Sequence, residues 1–161
     1  MPFGSPGTSR TTPAPAGIDP RGPRFAATLT TVVLAVVLVT GSGALLAAQA
    51  AVFALGALLG LRFSPYGLLY RRLVRPRLGP PTELENERPP RFAQAVGFAF
   101  AVVGTVGYLG GAFWLGAAAT ALALAAAFLN AAFGYCLGCE FYLLAVRGRA
   151  RVSGLSPQER S

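Results

Sequence analysis

Lysine and histidine are both missing from this 161-residue chain, so all fourteen of its basic residues are arginine. With no histidine and only two cysteines, the chain falls short of the four Cys or His ligands that structural zinc prefers. No resident metal or other cofactor is expected. Acidic residues are scarce as well, six in all, which leaves a net charge of +8. Charge is absent from two long apolar tracts, 25–61 and 92–135. Ion-coupled transport and intramembrane hydrolysis usually need an ionisable group inside the bilayer, so neither activity is expected. No Walker loop, HExxH or GxSxG sequence occurs, and this disfavours the hydrolases those motifs mark.

What the chain has in excess is uninterrupted apolar length. Each tract is about twice the ~20 residues a helix needs to cross a bilayer. Each is divided near its middle by glycine, at Gly41-Ser42-Gly43 and at Gly110-Gly111. The pattern predicts an all-α, polytopic membrane protein with four transmembrane helices in two hairpins, at 25–40, 44–61, 92–109 and 113–133. Gly134 stands where a helix C-cap is expected. The membrane domain is placed at 25–146, between a disordered cytoplasmic arm (1–24) and a disordered cytoplasmic tail (147–161). Ala48-Gln49-Ala50 resembles a signal-peptide cleavage site, but the apolar run continues to Leu61, so the first span is read as uncleaved.

The arginines sort by position. They lie before the first span, between the second and third, and after the fourth, and never in the two short turns. By the positive-inside rule both termini and the central loop face the cytoplasm. The expected location is the bacterial inner membrane, as a multi-pass protein with the lipid bilayer as its first partner. Nucleic acid is not an expected partner, because the positive charge belongs to the membrane flanks.

Within the central loop, 67–75 is either a short interfacial helix or a solvated basic loop. As a helix it would put Leu68, Leu69 and Leu73 on one side and Arg71, Arg72 and Arg75 largely on another, fit to dock lipid headgroups or a partner. A short repeat also occurs. Pro23-Arg24-Phe25-Ala26 opens the first hairpin and Pro90-Arg91-Phe92-Ala93 the second. Such a repeat would relate the hairpins about an axis along the membrane normal, and would bring Pro65-Tyr66 and the cysteine segment to related places. Gly56-x-x-x-Gly60 and Gly107-x-x-x-Gly111 suit close helix packing within the chain, or a seam between copies in a homo-oligomer. Trp114 and Tyr108 are expected in an outer aromatic belt, and Tyr66, Tyr70, Tyr135 and Tyr142 in an inner one.

The two cysteines form one motif, Cys136-Leu137-Gly138-Cys139. Two thiols three residues apart can close a small disulfide loop, as redox dithiols do. Three roles are open: inert packing, cycling with a thioredoxin-like or sulfur-carrying partner, and metal binding, which would need cysteines from a second copy. Reactivity turns on local structure. At the end of the fourth helix the dipole would disfavour a Cys136 thiolate. At the start of a new helix running through Glu140 to Val146 it would favour one. Gly134 and Gly138 argue for the break. Asn130 is the most polar group deep in a span, suited to an interhelical hydrogen bond.

Pro65-Tyr66, Tyr70-Arg71, Arg75-Pro76, Arg91-Phe92-Ala93-Gln94 with Gly97, and Asn130 through Gly134, Cys136, Gly138-Cys139 and Tyr142 together resemble a bacterial membrane family of unknown function, domain-of-unknown-function family 4395. The resemblance covers about 24–146 and is most specific at the cysteines. It implies a small polytopic membrane protein and brings no activity with it. The leading expectation is a thiol–disulfide or sulfur-transfer component, with Cys136 attacking, Cys139 resolving, and Tyr66, Asn130 and the loop arginines as binding residues. The rival is a non-catalytic packing or assembly subunit with inert cysteines. Whether the protein is an enzyme is left open.

Overall fold

The computed structural model describes residues 17–81 and 83–152, with the backbone alone for 150–152. Among these the fold is all-α, with six helices and one pair of two-residue strands. The helices are α1 (Arg21–Thr40), α2 (Gly43–Leu58), α3 (Pro65–Leu69), α4 (Arg88–Leu109), α5 (Phe113–Phe133) and α6 (Leu137–Val152). Three of them, α1, α4 and α5, are long and apolar enough to cross a membrane; α2 is apolar but shorter.

Boundaries follow local chemistry. Helices α1 and α4 each begin four residues earlier than the apolar pattern predicts. An Asx side chain starts both: Asp19 Oδ1 accepts the Arg21 N–H at 3.0 Å, and Asn86 Oδ1 accepts the Arg88 N–H at 2.9 Å. Helix α2 ends three residues short of the expected 61, because the chain turns at Gly60 with φ 97°, a conformation that costs glycine little. Helix α5 occupies the expected 113–133. The tail was expected to be loose from 147, yet α6 runs to Val152. The arm was expected to be loose through 24, yet Gly17–Ile18 (β1) pairs antiparallel with Glu85–Asn86 (β2) and α1 follows. The remainder of the arm and tail, 1–16 and 153–161, lies outside the described residues.

Helix α1 packs on α5, α5 on α4 and α4 on α2, with a lighter α1–α2 contact closing the ring. Neighbours in sequence and in space are therefore all antiparallel. The interior is made of small residues and a few larger ones. Leu34, Val37 and Leu46 are fully buried, with Ala101, Ala119 and Ala123 beside them. A Cβ on Gly107 would sit 2.5 Å from the Gly116 backbone nitrogen, so α4 and α5 touch main chain to main chain near their turn. The exterior is apolar: Val39 is 87% exposed, Trp114 74% and Leu109 70%. Small residues inside and large apolar ones outside are what packing in lipid favours. Threonine hydroxyls bond back to carbonyls one turn earlier, as Thr31 does to Ala27, Thr105 to Ala101 and Thr120 to Gly116 at 2.7–2.8 Å, which hides their polarity.

The hairpins repeat one another. Each ends in a helix that folds back onto its own first helix, α3 onto α1 and α6 onto α4. Phe25 stacks on Tyr70 and Phe92 on Tyr142, with ring centroids 5.8 Å apart and planes tilted 47° and 49°. The expected inner-belt place for Tyr70 is thus corrected. It is buried, and its hydroxyl donates to Asp19 Oδ2 at 2.8 Å. The two GxxxG pairs also match. Their first glycines make close helix contacts, with Gln94 and with Gly116, while Gly60 and Gly111 have positive φ and serve turns.

Candidate dithiol site

The site is built at the end of α5. Gly134 leaves the helix with φ 69° and its N–H returns to the Asn130 carbonyl at 3.0 Å. Two residues later Cys136 begins α6, its carbonyl accepting the Glu140 N–H at 3.1 Å. Cys136 is thus the residue that caps a new helix, the second of the two local arrangements open to the sequence. Gly138 is required by packing. A Cβ there would lie 2.7 Å from Cα of Ala93, so only glycine lets the first turn of α6 rest on α4.

Both thiols are free and half-buried. Hydrogen bonding from the Cys139 thiol is the largest influence on Cys136 and brings its pKa down to about 7; the backbone N–H groups of Cys139 and Gly138 add to this, while burial and Glu140 oppose it. The Cys139 thiol is pushed up, first by its hydrogen bonding as donor to Cys136 and then by burial. The pair is therefore polarised, with thiolate character on Cys136 and the proton held on Cys139. Among the described residues no third Cys, His, Asp or Glu joins the sulfurs in a group that could hold a metal.

The two cysteines line a cavity of about 370 Å³ between α1, α2, α4, α5 and α6. Arg24, Gln94 and Asn130 share its cysteine end, and Phe53, Phe100, Leu122 and Ala126 line its deeper part. Arg24 lies over the end of α5, where a Cβ on Gly134 would be 3.6 Å from its Nε. Its counterpart in the repeat, Arg91, donates from Nε and Nη2 to the Ala57 carbonyl (3.1 and 2.9 Å) and from Nη2 to that of Leu58 (2.8 Å). Arg91 thereby caps α2 with a cation at the negative end of its dipole.

A second cavity, of about 310 Å³, occupies the matching place in the first hairpin. Ser64 stands there where Cys136 stands in the second. Its Oγ accepts the Gly67 N–H at 3.1 Å and donates to the Leu61 carbonyl at 2.9 Å. Tyr70 in its wall is pushed up to about 12, by burial first and then by its bond to Asp19.

The proposed site residues thus divide between the two halves. Cys136, Cys139 and Asn130 meet in one cavity. Arg71 and Arg75 line the other, and Arg72 is exposed beside them. The 67–75 segment is helical: α3 continues through a wider turn over Tyr70–Val74, with Leu68, Leu69 and Leu73 exposed. Tyr66 belongs to neither cavity and donates to Oε1 of the buried Gln49 at 2.6 Å. Arg24 and Phe53 were not anticipated. The repeated Pro-Arg-Phe-Ala segment could have drawn attention to Arg24, whereas nothing in the sequence marks Phe53.

The fold and the site define a small all-α protein of apolar helices with a polarised dithiol over an internal cavity. The chain belongs to the family described as Domain of unknown function (DUF4395), whose model matches residues 18–147. No curated protein and no solved structure matches the chain.

Proposed function

We propose that this is a four-span membrane protein, with both termini cytoplasmic, that exchanges electrons or sulfur through Cys136 and Cys139. Helix α2 is the shortest span at 16 residues, and modest local thinning of the bilayer accommodates it. Arginines flank α1, α2 and α4 at the cysteine end of the bundle, the cytoplasmic side by the positive-inside rule. Cys136 is the attacking thiol and Cys139 the resolving one; a thioredoxin-like or sulfur-carrying protein is the partner on the aqueous side. Arg71, Arg72 and Arg75 hold the same face to anionic headgroups or to that partner. The observation that carries the reading is Cys136 at the start of α6, three residues from Cys139, with both cysteines lining one cavity and the Cys136 thiol pulled down. Structural cysteines buried in apolar surroundings have raised pKa values, whereas this one is lowered.

Differential alkylation of whole cells before and after oxidative stress tests the proposal. The expected result is a reversible change in the state of both cysteines. Thiols that never change state, together with full function in a Cys136→Ala/Cys139→Ala variant, would instead identify a packing subunit with inert cysteines.

A further inference from the structure

We infer that the cavity beneath Cys136 and Cys139 receives a membrane-soluble quinone, which accepts the two electrons of the dithiol. The inference rests on the thiol-exchange reading above and names the electron acceptor.

The cavity has two ends of different character. At the cysteine end Arg24, Gln94 and Asn130 supply hydrogen-bond donors, and Glu85 adds one carboxylate near Cys139. Such donors suit the carbonyl oxygens of a ring held against the thiols. Beyond them the walls are apolar, with Phe53 and Phe100 offering aromatic surfaces to a flat ring. From Asn130 to Leu122 the cavity follows α5 for about 12 Å, at the ordinary rise of a helix. That depth carries it away from the arginine-bearing face and into the apolar body of the bundle.

Access is from the side. Leu122 and Phe141 line the cavity, yet they are 60% and 65% exposed on the outer apolar surface. The cavity wall is therefore continuous with the outer apolar surface, from which a ligand dissolved in lipid would enter. The volume of about 370 Å³ falls at the small end of organic-ligand sites and takes a ring with the start of its tail. A plain acyl chain would leave the polar end without a role, and a small sulfur anion would face apolar walls.

The reaction balances as follows. The Cys136 thiolate and the Cys139 thiol form one S–S bond and give up two electrons. The quinone accepts both and becomes the hydroquinone. One of its two protons comes from Cys139, and the other comes from water at the polar end, replacing the proton that Cys136 had already released.

The test uses the full-length protein, reduced and reconstituted in lipid nanodiscs, with menadione or a short-chain ubiquinone as the probe. One hydroquinone formed for each Cys136–Cys139 disulfide is the expected result. Ala126→Phe on α5 and Val96→Phe on α4 each fill the cavity from a different wall. In both, the rate with quinone relative to the rate with a water-soluble aromatic disulfide is expected to fall roughly tenfold or more. Agreement between the two variants separates blocking from a folding defect. Oxidation by the soluble disulfide but not by quinone overturns the quinone inference and leaves dithiol exchange standing. An unchanged ratio in both variants also overturns it. Oxidation by neither reagent removes the exchange reading as well.

Discussion

Each hairpin ends in a return helix, with Ser64 at its start in one half and Cys136 in the other. Ser64 Oγ accepts the Gly67 N–H and donates to Leu61; the Cys136 thiol is pulled down by the Cys139 thiol first and by the N–H groups of Cys139 and Gly138 next. The same backbone donors that merely finish a helix when they meet a hydroxyl stabilise an anion when they meet a thiol. The third position differs too. At Gly67 a side chain would collide with the Leu61 carbonyl, whereas Cys139 has room to donate to its neighbour. Both halves keep a cavity beside the start of the return helix, and only the second carries a second thiol there.

Erasing the difference has the largest effect. Cys136→Ser makes the second cap like the first, and dithiol exchange with a soluble disulfide should drop to background, read by alkylation and mass spectrometry. Because serine caps a helix well, the thermal unfolding midpoint in detergent should move little. Grafting the dithiol in the other direction should fail. Gly67→Cys drives Cβ into the Leu61 backbone and should cost about 1–3 kcal/mol or more, seen as an earlier thermal transition.

The arginines give a comparison of intermediate size. Arg91→Ala removes three charged hydrogen bonds from the last carbonyls of α2 and should destabilise by about 1–3 kcal/mol. Arg91→Lys should recover only part, since an ammonium lacks the planar fork. Smallest is Ser64→Ala, which loses a cap worth about 1 kcal/mol and should leave Cys136 alkylation untouched. A change there would mean that the two halves are coupled rather than merely alike.

The helices were largely legible from the sequence because apolar length and arginine position are strong signals. The fourth apolar segment matched residue for residue, since Gly134 ends it by a conformation that favours glycine. The early starts of α1 and α4 were less visible because single side chains, Asp19 and Asn86, set them outside the apolar pattern. Tyr70 looked like an interfacial tyrosine until its partners, Asp19 and Phe25, were brought to it from the other end of the hairpin. The cysteines announced the dithiol, and Gly134 with Gly138 announced the break before it. The cavity was not legible. It arises where five helices from both hairpins leave space, and Phe53, Gln94 and Asn130 meet there only through tertiary packing.

The most direct test follows the alkylation rate of Cys136 with pH in the reconstituted wild-type protein, with the two sites resolved by peptide mass spectrometry. The thiolate is the reacting form, so the rate rises with pH through the folded-state pKa and then levels. The predicted midpoint is near 7, with Cys139 unreactive across the same range because its proton is held. A midpoint at the ordinary 9.0, shared by both cysteines, would contradict the account.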